Sequence, residues 1–156
     1  MKINIEGSEG KDFQPGSTVG DILDTFGIKE KCIGAKVNGT VVDFFHNVEE
    51  DSEIEPVKNG SEEGLQLIRH TAAHVMAEAV QSLFPEARVT IGPVIQNGFY
   101  YDYDFPRGFN PEDLEKIEQK MGEIIKENKP LTRKIITRDK AIELFSKNGE
   151  NYKVEI

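Results

Sequence analysis

The chain has 156 residues, of which 37% are hydrophobic and 30% charged, with a formal net charge of −9. That balance suits a globular chain of one or two small domains, and no run approaches the ~20 apolar residues of a membrane span. The charge is uneven: residues 1–62 carry 6 lysines and no arginine against 13 acidic residues, a net of −7, and residues 63–156 supply the remaining −2. Neither half has the basic field of a non-specific nucleic-acid binder, so any contact with nucleic acid is expected to be local and shape-driven. The start of the chain lacks the apolar stretch of a secretion signal, and the one cysteine, Cys32, has no partner for an internal disulfide. A reducing, cytoplasmic setting is therefore expected.

The first sixty residues predict a small mixed unit. Ile3 and Ile5 alternate with polar neighbours as in a half-buried strand, Gly7-Ser8-Glu9-Gly10 turns the chain, and Lys11 to Gln14 returns as a second strand. Thr18 with Asp21 resembles a helix-capping box. Val19, Ile22, Leu23 and Phe26 then share a helical face, and Gly27 ends the helix. Ile33, Ala35 and Val37 alternate again before the hairpin turn Asn38-Gly39 and the strand Thr40-Val41-Val42. Glu53 to Val57 makes a last strand, which its Pro56 favours as an edge. The polar stretch from Lys58 to Gly64 reads as a linker, which divides the chain into domains 1–62 and 63–156.

The second half predicts a helix from Leu65 to Phe84, ended by Pro85, and a hairpin from Arg88 to Phe105 turning at Asn97-Gly98. Asn110-Pro111-Glu112-Asp113 starts another helix, with Leu114, Ile117, Met121, Ile124 and Ile125 as its apolar stripe. Leu131 to Ile136 reads as a strand, Thr137 caps a helix through Lys147 that Asn148-Gly149 ends, and Tyr152 to Ile156 alternates like a strand. A strand that has just begun suggests the front end of a longer polypeptide. The fold class expected is α+β.

Two stretches carry chemistry. In Ile68-Arg69-His70-Thr71-Ala72-Ala73-His74, a spacing of four puts both imidazoles on one helical face, about one turn apart, with Glu78 another turn on. Three readings fit: half of a metal site, hydrogen bonding and proton transfer on a polar substrate, or two histidines bonded to backbone. The only further soft ligands, Cys32 and His46, lie in the first domain, so a closed zinc site is not expected. The second stretch runs from Ile91-Gly92-Pro93 through Asn97-Gly98 to Phe105. There Phe99, Tyr101, Tyr103 and Phe105 share one face of a strand, either as core packing or as the wall of a pocket. Lys153 by itself reads as a surface charge, and Arg133, Lys134, Arg138 and Lys140 form the only basic cluster. There is no phosphate-binding glycine loop, dinucleotide fingerprint or nucleophile elbow.

Taken together, Ile68-Arg69-His70 with Ala73-His74, Ile91-Gly92-Pro93-Val94-Ile95, Asn97-Gly98-Phe99-Tyr100-Tyr101-Asp102 and Gly149-Glu150 with Tyr152-Lys153-Val154 resemble the N-terminal region of the threonyl-tRNA synthetase family. The resemblance covers essentially the whole chain. It implies a β-grasp (ubiquitin-like) TGS domain at residues 1–62 and the first part of an α+β editing domain at 63–156. That family's editing domain hydrolyses serine wrongly esterified to threonine tRNA. The need follows from size: serine lacks one methyl, worth only about 1–3 kcal/mol of discrimination, and a smaller amino acid is not sterically excluded from the synthetic site. The family's pocket joins a His-x-x-x-His helix to a later Cys-x-x-x-His element. His70 and His74 match the first, the second is absent here, and half the pocket is therefore missing. By the same resemblance His70, His74 and Lys153 are the catalytic candidates, and Gly92, Asn97 and Tyr101 the substrate-binding ones. No metal or cofactor is expected within this chain; ATP, magnesium and zinc belong to the catalytic domain of the parent enzyme. The expected partner is the acceptor end of threonine tRNA, with a homodimeric parent, a possible monomer for this piece, and no membrane. The fragment alone is expected to be inactive. Two alternatives stand beside this reading. One is a TGS-containing module that binds RNA or a protein partner without catalysis. The other is a metal-dependent hydrolase resembling the alanine-specific editing proteins, which carry the complete Cys/His half and lack TGS.

Overall fold

Lys2 and Asn4 point outward while Ile3 and Ile5 are buried, and this alternation makes the chain's first strand, β1 (Lys2–Ile5). The computed structural model describes residues 1–130 and 134–155 and divides into two units, Met1–Ile68 and Arg69–Ile156. In the first unit β1 is followed by β2 (Lys11–Asp12), β3 (Ser17–Thr18), α1 (Val19–Thr25), a 3-10 turn at Lys29–Lys31, β4 (Cys32–Val37), β5 (Thr40–Val42), β6 (Asn47–Val48) and β7 (Ser52–Lys58). Five strands form a mixed sheet in the order β2-β1-β7-β4-β5. β1 runs parallel to β7, the other neighbours are antiparallel, and β3 pairs with β6 apart from the sheet. Val19, Ile22 and Leu23 of α1 share one buried cluster with Ile3, Ile5, Ala35 and Ile54 of the sheet.

Local chemistry sets the boundaries. The Thr18 hydroxyl accepts from the Asp21 N–H at 3.2 Å and donates to the Asp21 carboxylate at 2.7 Å, so the carboxylate serves the capping hydroxyl instead of the backbone. At the other end Gly27 is left-handed (φ 69°). Its N–H reaches the Asp24 carbonyl and that of Ile28 reaches Leu23, a Schellman closure. Asn38 and Gly39, both with positive φ, supply the turn that the β4–β5 hairpin needs. The sequence expectation for Pro56 fails: β7 is the central strand, not an edge. The proline is tolerated there because β1 pairs only with Ser52 to Ile54, so on that side Pro56 lies beyond the ladder.

α2 (Glu62–Leu83) begins in the first unit and runs into the second, which continues with β8 (Arg88–Val89), β9 (Val94–Ile95), β10 (Gly98–Phe99), β11 (Tyr103–Asp104), α3 (Pro111–Glu127), α4 (Arg138–Lys147) and α5 (Asn151–Glu155). α2 starts earlier than its apolar pattern predicts. The Ser61 hydroxyl accepts from the Gly64 N–H at 3.1 Å, so Glu62 to Gly64 form its first turn and are not linker. The long hairpin is two short ladders, β8–β11 and β9–β10, interrupted where Gly92-Pro93 breaks the pairing, and its turn residues are Gln96 and Asn97. α3 carries the full capping box, with the Asn110 side chain on the Asp113 N–H and the Asp113 carboxylate on the Asn110 N–H. Asp113 is buried and also paired with Arg107 through two hydrogen bonds of 2.5 and 3.2 Å. The core joins Ala79 and Val80 of α2, Ile117 and Ile124 of α3, and the aromatics Phe84, Tyr103, Phe105 and Phe109. Leu114 and Ile125, expected on α3's buried stripe, are instead exposed.

Two expected strands need correction. Of the segment from Leu131 to Ile136, residues 131–133 lie outside the described residues, and residues 134–136 form no strand. Of the strand expected from Tyr152 to Ile156, residue 156 lies outside the described residues and the rest belongs to the helix α5; five residues are too few to separate a period of two from one of 3.6. Among the described residues, no helix is long and apolar enough to cross a membrane. Ile54 has no exposed surface and sits on the central strand, so Ile54→Ala is expected to cost about 2–5 kcal/mol in urea unfolding. Val41→Ala on the exposed edge strand β5 should stay within about 0.5 kcal/mol.

Candidate functional site

The 22 residues of α2 turn one face inward, with Ala73, Ala77 and Val80 buried, and leave His70, His74 and Glu78 on the exposed side. Helical spacing alone brings the two rings together. Their Nε2 atoms lie 3.1 Å apart, with centroids at 4.6 Å and the planes nearly perpendicular at 82°. A nitrogen–nitrogen contact of this length needs one ring to donate and the other to accept. The neutral pair therefore shares one bridging proton, and a second proton on the bridge would make one ring a cation and set two N–H groups against each other. Partial desolvation, then the charge of His70, then that of Lys153 hold the His74 imidazole below its ordinary value of 6.5. His74 is thus held toward its neutral, proton-accepting form.

Lys153 comes to this pair from α5. Its ammonium pairs with the Glu150 carboxylate and lies over the Phe145 ring, 5.5 Å from the centroid. Glu78, the third member of the sequence stripe, is directed to Lys129 at 3.9 Å. Among the described residues no three His, Cys, Asp or Glu side chains converge as a metal site. Cys32 is buried in the first unit, where its thiol donates to the Ile28 carbonyl. Of the basic cluster, Arg133 lies outside the described residues, and Lys134, Arg138 and Lys140 are exposed.

The aromatic hairpin forms the second group. Along Phe99 to Phe105 alternate residues are half-buried, so the shared face read from the sequence exists. Tyr101 stacks on Tyr103 with centroids 5.3 Å apart, and both line an open cavity of about 570 Å³ with Met76 and Val80 of α2. Gly92 lies against the Tyr101 ring so closely that a β-carbon there would stand 2.2 Å from Cδ2. Gly92 thus determines where Tyr101 can lie. Burial raises the Tyr103 phenol well above its ordinary value, so it stays protonated.

The structure therefore gathers His70, His74 and Lys153 into one group and Gly92 and Tyr101 into another. Asn97 stands exposed at the hairpin tip and joins neither contact set. Sequence reasoning missed Arg69, whose guanidinium donates to the Gln96 carbonyl at 2.9 Å and so ties α2 to that tip. It also missed Tyr152, whose hydroxyl donates to the Asp104 carboxylate at 2.9 Å. Arg69 could have been noticed from its place beside His70; nothing in the sequence pairs Tyr152 with Asp104.

NMR titration is expected to show His74 titrating below 6.5. Because the folded value is depressed, what the neutral ring contributes to stability is present above the unfolded value and is lost as the pH falls through the folded one. His70→Ala should move the His74 midpoint upward; an unchanged midpoint would contradict the pairing. Gly92→Ala should displace the Tyr101 ring, seen as a change in its ring-proton shifts, with little effect on the two histidines.

No family model matches the chain. It is similar to threonine–tRNA ligases of several bacteria. It is 52% identical to that of Acidithiobacillus ferrooxidans over 83% of this chain and 20% of the relative. For the Hahella chejuensis protein the figures are 46% identity over 99% of this chain and 24% of the relative, and for the Herminiimonas arsenicoxydans protein 46% over 100% and 25%. The chain spans about a fifth to a quarter of the length of the curated relatives it matches. Over that portion, the chain is related to the threonine–tRNA ligases.

Proposed function

We propose that this chain is the N-terminal part of a threonine–tRNA ligase, and that its second unit belongs to the region that hydrolyses serine wrongly attached to threonine tRNA. In this reading residues 1–62 are the TGS domain. A mixed sheet with β1 parallel to central β7 and α1 packed on one face supports a β-grasp. Residues 63–156 are the first part of the editing domain. The observation that carries the reading is the exposed His70–His74 contact, with the charge of Lys153 beside it.

The chemistry is ester hydrolysis at the acceptor end of the tRNA. Water attacks the seryl carbonyl carbon, the carbon–oxygen bond to the terminal ribose breaks, and the products are free serine and the ribose hydroxyl. The imidazole pair, in which His74 is held toward its neutral form, accepts the proton that water gives up and can return it to the departing ribose oxygen. The Lys153 ammonium orients the water or the ester and opposes negative charge on the carbonyl oxygen. Tyr101, held flat by Gly92, and Asn97 at the hairpin tip are the substrate-facing residues. Joining threonine to its tRNA with ATP, magnesium and zinc is work for other parts of the parent, as is its dimerisation, in the cytoplasm where its tRNA is. The acidity of the first unit leaves it no broad phosphate-binding surface.

In the full-length ligase, His70→Ala and His74→Ala are each expected to slow release of serine from mischarged threonine tRNA by about 10²–10⁴-fold, with threonine attachment changed less than about twofold. Unchanged serine release would overturn the reading.

A further inference from the structure

α5 has five residues, too short for a helix to hold its own position in water, so a tertiary contact must fix where it points. At its start Gly149 is left-handed (φ 73°) and the Glu150 N–H bonds the Phe145 carbonyl, which turns the chain back so that α5 lies beside α4, with Lys153 over the Phe145 ring. One long-range bond from α5 is that of the Tyr152 hydroxyl to Asp104 Oδ2 at 2.9 Å, made across 48 residues of sequence. Asp104 ends β11, directly after Tyr103, on which Tyr101 stacks. Lys153 follows Tyr152. This side-chain bond therefore registers the helix that carries Lys153 against the strand that carries Tyr103.

We infer that Tyr152 and Asp104 form a clamp that sets Lys153 against the His70–His74 pair, which makes both of them positioning residues of that site. Glu150 is the second component: paired with the Lys153 ammonium, it fixes the side chain's direction and offsets part of its charge. The charged and titratable groups that bear on His74 are His70 on its own helix and Lys153 on α5, with Glu78 one turn on and paired to Lys129.

The His74 midpoint reports the clamp whatever the site does. In this chain Tyr152→Phe and Asp104→Ala are expected to raise that midpoint as Lys153→Met does, because each withdraws the ammonium. Asp104→Asn, which keeps an acceptor oxygen, should leave it near the starting value, and Glu150→Gln should lower it. In a double-mutant cycle Tyr152→Phe with Asp104→Ala should shift it no more than either change alone. A midpoint insensitive to both Tyr152→Phe and Asp104→Ala, while responsive to Lys153→Met, overturns the clamp. The activity arm rests on the hydrolytic reading. In the full-length ligase Tyr152→Phe should lower kcat for serine release about tenfold with KM within about twofold, since a small misplacement of a reacting group is costly. If Lys153→Met leaves serine release intact, the hydrolytic role of Lys153 fails while the clamp is still judged by the midpoint. If Lys153→Met slows release and Tyr152→Phe does not, the clamp fails alone.

Discussion

A single nitrogen–nitrogen contact of 3.1 Å between His70 and His74 organises the candidate site. Its geometry leaves room for one shared proton, and its position on the outward face of α2 leaves both rings accessible. Everything else near it acts on that proton. Desolvation and the Lys153 charge keep it from being joined by a second, and Glu150 tempers the lysine. A pair buried among apolar side chains would show the same spacing in the sequence and do no chemistry. Exposure on the helix is what separates the two cases.

Position in this site is set by the scaffold at three points of different strength. His70 and His74 are fixed by the register of a 22-residue helix, whose opposite face packs into the core through Ala79 and Val80. Tyr101 is fixed by close packing against Gly92 and by its stack on Tyr103. Lys153 sits on the five-residue helix α5, held by its pair with Glu150, its place over Phe145 and the bond between Tyr152 and Asp104. The order suggests where function is most easily lost: a change on α5 can remove the lysine without disturbing fold or histidines.

Much of this was legible in the residues. Thr18 and Gly27 marked the ends of α1, Asn38-Gly39 the β4–β5 turn, and Asn110-Pro111 the start of α3, because each of these positions makes a local backbone demand that few residue types meet. The histidine pair followed from spacing alone. What was not legible depended on distant partners. Pro56 looked like an edge residue, yet it lies in the central strand, where β1 happens to stop short of it. Tyr152 and Val154 alternated like a strand, but Tyr152 finds Asp104 as part of a helix. Leu114 and Ile125 fit α3's apolar period and are exposed all the same, because that helix buries a narrower stripe through Ile117 and Ile124. Local rules carried the element starts and turns; long-range pairing carried the rest.

The shared proton itself is the most direct object to measure. NMR of the imidazole nitrogens near neutral pH distinguishes a ring protonated at Nε2 from one protonated at Nδ1. The expected result is one of His70 and His74 carrying its proton at Nε2 and the other presenting a bare Nε2 toward it. Two rings with ordinary, independent tautomer mixtures and equal midpoints would contradict the account.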